Sequence, residues 1–339
     1  MIRILFCCLL FSAEICRSAT LRPSDRQLSI FSRTVDLVFS DSFDQAYRQV
    51  EAFPDSLPGQ PIYHLLYGSV LHARMLDCED YADEKIFFVH IDSAISVLRD
   101  WVERNPHDAW GYFFLGSAYG YKSILLAQKH SWLKSLVNGL KAKTNFSRAI
   151  EINPTLYDAY TGMGNYHYWS TVKLGKYIPL IPDNREKGLG ELQLALDSSL
   201  FSRKPARAGL AWAFIEEKKL TRALRIGTEM YKDTGGGRNS LWIMGGAYWR
   251  AGNLLQAADY YGKLIESFLK VGNQNYYNLI FCRYRRGVCL YGLGRDEQAR
   301  FELESILSYE ASKEVRKRHK NTYEKTREYL EKLEGRARR

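Results

Sequence analysis

The 339-residue chain is 46% apolar and 25% charged, the proportions of a folded globular protein, which excludes a low-complexity or disordered polymer. Its formal charge is +10, but residues 313–339 alone hold eleven Lys and Arg against five Glu, so most of the excess is one terminal segment. A chain of this length makes either two ordinary domains or one elongated repeat array.

Residues 1–19 read as a secretory leader. Met1, Ile2 and Arg3 precede an apolar run from Ile4 to Ala13, and Cys16 and Ser18 stand at small-residue positions before Ala19. The run is too short to span a bilayer. The expected location is exported, periplasmic or envelope-associated, the alternative being a cytoplasmic chain with an apolar first helix. Cys7, Cys8 and Cys16 fall inside this segment, and the odd remainder, Cys78, Cys282 and Cys289, argues against a disulfide framework. Cys282 and Cys289 lie on one predicted helix about 10 Å apart, too far for a bridge, and read as buried small hydrophobes.

Beyond the leader the sequence repeats. Pro58, Pro106 and Pro154 are 48 residues apart, and Gly68, Gly116 and Gly164, like Ala46, Ala94 and Ala142, share that frame. Long units of this kind are expected over 28–156. A further unit, 157–202, carries Pro179 and Pro182 within 175–184, which reads as a projecting loop and a candidate lid. Over 203–310 the spacing shortens: Ala223 and Ala257 are 34 apart, and Gly245 and Gly287 are 42 apart, with Ala299 in the matching place. Residues 311–339 read as a basic capping helix and tail, with Tyr309, Tyr323, Tyr329, Leu330 and Leu333 as a sparse inner face. Small residues such as Gly116 and Ala142 suit a close helix contact, and proline after each second helix stops its continuation. Since 48 exceeds 34 by 14 and no proline interrupts 107–153, seven extra residues in each helix, about two turns, predict longer helices there.

Two consecutive units, one through Leu210, Phe214, Ala223 and Met230 and one through Met244, Gly245, Tyr248, Ala257, Tyr261 and Leu264, resemble the tetratricopeptide repeat. Polar turns at 217–222, 252–256 and 294–298 separate the paired helices, while Phe146, Ala149, Asn153 and Pro154 close one long unit and Tyr160, Met163 and Gly164 open the next. The resemblance covers roughly residues 28–310 and is to an irregular, long-helix bacterial type. It implies an all-α, right-handed superhelical solenoid of antiparallel helix pairs with a C-terminal capping helix.

No catalytic or metal-ligating pattern accompanies the repeats. His64, His72, Cys78 and His90 lack the tight spacing of a zinc site, and the acidic cluster Asp77, Glu79, Asp80, Asp83 and Glu84 lacks the central glycine of a calcium loop. Gly235, Gly236 and Gly237 are not followed by the Lys-Ser or Lys-Thr of a phosphate loop and read as a linker, with Asn239 or Ser240 capping the next helix. No nucleophile elbow is present. The expectation is a protein that is not an enzyme and uses no cofactor or metal.

In tetratricopeptide arrays the first helix of each repeat lines a concave groove. Carried over position by position, the resemblance points Trp110, Phe113 and Tyr121 inward, then Asp158, Asn165, Tyr168 and Trp169, then Trp212, Trp242, Trp249 and Arg250, then Tyr284 and Tyr291. Aromatic residues and Arg are common interface hot spots, although aromatics at helical spacing also pack as core. The subtype that clamps chaperone carboxylates uses lysines and asparagines; Asn165 matches, but Phe113, Thr161 and Trp242 occupy places that need a lysine or another polar residue. The implied ligand is an apolar or aromatic protein segment or peptide, or a glycan, and the implied function is a binding scaffold of the bacterial cell envelope. The alternative is a cytoplasmic nucleic-acid-binding helical repeat protein that uses the basic tail. Interspersed Glu residues, which suit ion pairs on a solvated helix, weigh against it.

Overall fold

The computed structural model describes residues 20–53, 60–175, 182–272 and 274–338; the leader 1–19, the marker Pro58 and residues 176–181 of the expected lid lie outside them. Among the described residues there are helices and no strand. Fourteen helices form successive pairs, an inner helix followed by an outer one: α1 (Asp25–Phe39) with α2 (Phe43–Glu51), α3 (Gln60–Cys78) with α4 (Glu84–Arg104), α5 (Ala109–Gln128) with α6 (Trp132–Ile152), and α7 (Asp158–Leu174) with α8 (Arg185–Ser198). They continue with α9 (Arg203–Glu216) and α10 (Leu220–Thr234), α11 (Arg238–Arg250) and α12 (Leu254–Leu269), and α13 (Tyr277–Gly292) and α14 (Asp296–Ser308). Two further helices, α15 (Lys313–Arg318) and α16 (Lys320–Ala337), close the carboxyl end. Each outer helix packs on the next inner one, and inner helices also touch, as α7 does α9 and α9 does α11. This is an all-α helical-repeat solenoid. Helices α5 and α6 have 20 and 21 residues against 14 and 15 in α9 and α10, so the extra length of the long units lies in both partners.

The repeat is written in the backbone as well as in the side chains. Six turns from an inner to an outer helix contain one left-handed residue: Asp41, Glu79, His130, Lys218, Gly252 and Gly294. In five of these turns the amide beyond it donates back to the last helical turn, as Ser131 N does to Leu126 O at 2.8 Å and Asn253 N to Tyr248 O at 3.0 Å, the 6→1 bond of a Schellman cap. Only two of the six are glycine, although this conformation costs other L-residues roughly 1–2 kcal/mol. The α7–α8 connection, 175–184, is the long one.

The marker residues stand where helices meet. A Cβ on Gly116 would lie 2.9 Å from the Phe146 ring, and one on Gly68 2.7 Å from Ile91. The α7–α8 contact is tighter still, because backbone meets backbone: a Cβ on Gly164 would stand 2.7 Å from the Gly188 carbonyl oxygen, and one on Gly188 2.7 Å from both Gly164 O and Tyr168 N. Ala46, Ala94 and Ala142 are buried on the facing helices. Cys282 and Cys289 are buried free thiols, and burial pushes both pKa values up, that of Cys289 to about 11.

The first unit folds back over the array. Helix α1 begins with a capping box between Ser24 and Gln27 and buries Gln27, Ile30, Phe31 and Thr34, one stripe at helical spacing. That stripe lies against later units. Asp108, the N-cap of α5, accepts from Thr20 Oγ1 and Leu21 N at 2.7 and 2.8 Å; Phe31 packs on Phe114 and Phe201; and Lys204 Nζ pairs with Asp36 at 2.6 Å. The deepest link is Arg238, at the start of α11. Its Nη2 and Nε reach Asp77 Oδ2 at 2.6 and 2.8 Å, its backbone N–H donates to Asp41 at 2.8 Å, its Nη1 donates to Ser267 at 3.1 Å, and its guanidinium lies over Phe268. Nearby, Asn278 and Asn275 donate to the carbonyls of Asp77 and Glu79, and Arg318 pairs with Glu79. Neither Asn239 nor Ser240 caps α11 as the sequence suggests: the helix starts at Arg238, its N-cap is Gly237, and the Ser240 hydroxyl donates to Gly237 O.

The carboxyl-terminal cap is two helices rather than one, broken at His319, whose Nε2 bonds to Tyr277 O at 3.0 Å and whose ring packs on Tyr277. Leu333 is buried, and Tyr309, Tyr323, Tyr329 and Leu330 are partly buried on the same core.

Two outcomes are expected. Gly188→Ala should lower stability by about 1–3 kcal/mol, since neither neighbouring backbone can move aside; Gly190→Ala, two residues along the same helix with open space around its Cβ, should raise it by about 0.5–1 kcal/mol. Thermal melting of both variants tests this, and equal effects would refute the contact. The second concerns Asp41, whose carboxyl burial pushes up to about 6, against the opposing pull of Arg238. A folded pKa above the ordinary 3.8 contributes stability below that value and loses it as pH rises through about 6. Asp41→Asn, which keeps an acceptor for Arg238 N–H and tolerates the left-handed backbone, should therefore match the parent near pH 4. Above pH 6 it should be the more stable by roughly 3 kcal/mol. Arg238→Met should instead lose about 3–5 kcal/mol at neutral pH by stranding two largely buried carboxylates. Urea melts across this pH range provide the measurement.

Candidate binding surface

The inner helices present their aromatic residues to three different surroundings. Toward the amino end, Trp110 and Phe113 of α5 are buried beneath the folded-back first unit and the residues before α9: Trp110 stacks on Phe201, and Phe113 meets the rings of Phe114, Phe146 and Phe201. Tyr121, half-buried, packs on His72 of α3 at 5.1 Å, and burial raises its phenol pKa. Asp158 is buried and accepts from the backbone N–H groups of Leu200, Phe201 and Ser202 at 2.9 to 3.1 Å, so it fixes the α8–α9 turn. Tyr168 is fully buried, its hydroxyl donating to Ala213 O at 3.0 Å.

At the carboxyl end α16 covers the inner face. Tyr284 and Tyr291 both meet Tyr329, and the Arg336 guanidinium lies 3.6 Å from the centre of the Tyr291 ring. Trp242 is half-buried among Tyr261, Phe268 and Phe281.

Between these covered ends lies a third group, each member half-buried or exposed at the seam between one inner helix and the next. Asn165 donates to Thr161 O at 2.9 Å and lies against Gly209 of α9. Trp169, four residues on, meets Tyr168 edge to face and carries Lys173 over its ring. Trp212 lies against Gly246 of α11, and Arg250 reaches back to Glu216 of α9 at 3.0 Å. Trp249 is covered on one face by Arg285 of α13, its guanidinium 4.1 Å from the ring centre, within cation–π range. Beside this stretch a cleft of about 490 Å³ is lined by Thr171, Val172, Asp183, Arg185, Glu216 and Glu217.

Arg285 and the Arg185–Glu217 cluster were not singled out in the sequence, where a seam arginine has no distinguishing pattern. Histidines 64 and 90 come together, with their Nδ1 atoms 3.1 Å apart, and burial lowers both pKa values. Among the described residues no three His, Cys, Asp or Glu side chains gather as a metal site.

Comparison with protein-family models finds no match, and neither does comparison with curated proteins. Solved structures match in shape. The APC/C hetero-tetramer Cut9-Hcn1 aligns at a TM-score of 0.50 and 15% identity over 83% of this chain; the match spans 44% of that chain, less than half its length. PilW, a widely conserved type IV pilus biogenesis factor, aligns at 0.49 with 14% identity over 75% of this chain and 97% of that one. A tetratricopeptide repeat protein from Parabacteroides merdae aligns at 0.44 with 14% identity over 87% and 97%. Identities this low speak to fold. With its stacked helix pairs and recurring left-handed turns, the chain is a tetratricopeptide-like helical-repeat solenoid.

Proposed function

We propose that the chain is a non-enzymatic scaffold that holds an extended protein segment or peptide along the open stretch of its inner face, between α7 and α13. The observation that carries this reading is the seam series Trp169, Trp212, Trp249 and Arg250, with Arg285 stacked on Trp249. Its members stay accessible while the fold covers both ends of the inner face. Aromatic rings and guanidinium groups together offer large contact area at little entropic cost and hold both apolar side chains and backbone carbonyls. An aromatic or apolar segment fits this chemistry, and a sugar face stacking on the same rings is the alternative ligand.

The setting we propose is the cell envelope, on the strength of the leader-like residues 1–19. Use of the basic tail for nucleic acid is the weaker reading. Arg316 is spent on Ala311 O, Arg318 on Glu79, and Arg336 on Asp296 and Tyr291 O, so part of the tail charge holds the cap in place.

Crosslinking capture from envelope and cytosolic extracts, comparing the parent with a Trp169→Ala, Trp249→Ala, Arg250→Ala variant, tests the proposal. An envelope protein recovered by the parent and reduced at least tenfold in the variant is the expected result, with the melting temperature of the variant as the check on folding. Recovery of the same partners by both would remove the inner face from consideration.

A further inference from the structure

The α5–α6 hairpin is inside out at its tip. Over 132–141 the side of α6 that faces α5 is small and polar: Ser135 Oγ donates to Ser123 O at 2.9 Å, Ser123 Oγ donates to Ser135 O at 2.8 Å, and Gly139 lies against Ser123. The apolar side chains point the other way. Leu133 is 81% exposed, Trp132 64%, and Leu136, Val137 and Leu140 between 42% and 51%; Ile124 of α5 is exposed as well. The buried residues of α6, Ala142, Phe146 and Ala149, all lie in its second half. In a water-soluble helix pair the apolar stripe faces the partner; here it is turned to the outside for three turns.

Charge makes the same region distinctive. From Ala109 to Ile150 the sequence contains five Lys and one Arg and no Asp or Glu. Lys122, Lys129 and Lys134 rim a groove of about 680 Å³ whose walls are Phe88, Leu126, Leu133 and Val137. The one carboxylate among its lining residues, Glu84 of α4, is paired with Lys129, and Lys122 is paired with Asp92. The surface is therefore apolar at its tip and cationic at its edge. The greater length of α5 and α6 carries it beyond the turns of the shorter units.

We infer that this hairpin tip docks on an anionic lipid surface, with Trp132, Leu133 and Val137 inserted at the headgroup–acyl boundary and Lys134 and Lys141, which carry no ion pair to a carboxylate among the described residues, against lipid phosphates. Protruding Trp and Leu on one face with lysines around them is the pattern of an interfacial helix. No helix of the described residues is long and apolar enough to cross a membrane, so contact is with one leaflet. An acidic protein partner would satisfy the lysines, but a side chain as exposed as Leu133 stands out from the surface and suits a medium that deforms around it. The inference goes beyond the inner-face proposal and uses none of its residues.

The test uses the full chain with vesicles of phosphatidylcholine alone and of an equimolar mixture with phosphatidylglycerol. Two readouts are combined: sedimented fraction, and quenching of tryptophan fluorescence by lipids brominated in the acyl chain. Quenching should appear with the anionic vesicles and drop in Trp132→Phe, which isolates the tip from any binding by residues 1–19. Leu133→Ser with Val137→Ser should abolish that quenching, and Lys134→Ser with Lys141→Ser should weaken tip binding to anionic vesicles by about thirtyfold at low salt. Unchanged melting temperatures, expected at such exposed positions, separate these effects from misfolding. Absence of vesicle binding, quenching equal in parent and Trp132→Phe, or equal binding to neutral and anionic vesicles would each overturn the inference, including the case where an acidic protein binds the tip instead.

Discussion

One guanidinium shared by two largely buried carboxylates joins the first two units of this solenoid to its sixth. Arg238 sits beneath Asp77, Asp41 and Ser267 with almost no solvent contact, so its ion pairs are drawn out of water and repay only part of their desolvation. Their effect is geometric. The partners come from the α1–α2 turn, the end of α3 and the start of α11, and no other relative placement of these elements satisfies all of them. Asn275, Asn278 and Arg318 extend the same seam to α13 and α15. A simple repeat array couples each unit only to its neighbours; this one also couples its first unit to its sixth, with α1 lying against α3, α5 and α9 on the inner face.

The repeat itself was plain in the sequence because it depends on local spacing. Gly116 and Ala142 recur with Gly68 and Ala94 for a packing reason that operates within each unit, and the longer first helices followed from counting residues between proline stops. The left-handed turns were half hidden. Gly252 and Gly294 announce themselves, whereas Asp41, Glu79, His130 and Lys218 adopt the same conformation because the helices on either side leave no other path. The fold-back left no local trace at all, since Asp41 and Arg238 are 197 positions apart and a single ion pair has no period.

For the binding surface, the family frame indicates which side of a helix turns inward but not what lies on top of it. That distinction separates Trp110 and Phe113, beneath Phe201 and α1, from Trp169 and Trp249, which remain at the open seam. Tyr284 and Tyr291 depend in the same way on where α16 comes to rest. The apolar side of α6 shows the converse difficulty: Leu133, Leu136, Val137 and Leu140 give a stripe at helical spacing whether it faces in or out. Only the serine pair at 123 and 135 shows which side meets α5.

The end-to-end coupling also sets an order of assembly. Helix pairs from α3 onward find their partners within a few tens of residues, so they can zip up locally and fast. The carboxylates of Asp41 and Asp77 cannot be matched until the chain has been completed well past residue 238 and α11 and α12 have formed. Until then α1 rests on α2 and α3 and on the nearby residues of α5 and α9. The first segment of the sequence thus gains its tie to the sixth unit only once the intervening helices are in place, and with that tie the array is no longer coupled through nearest neighbours alone.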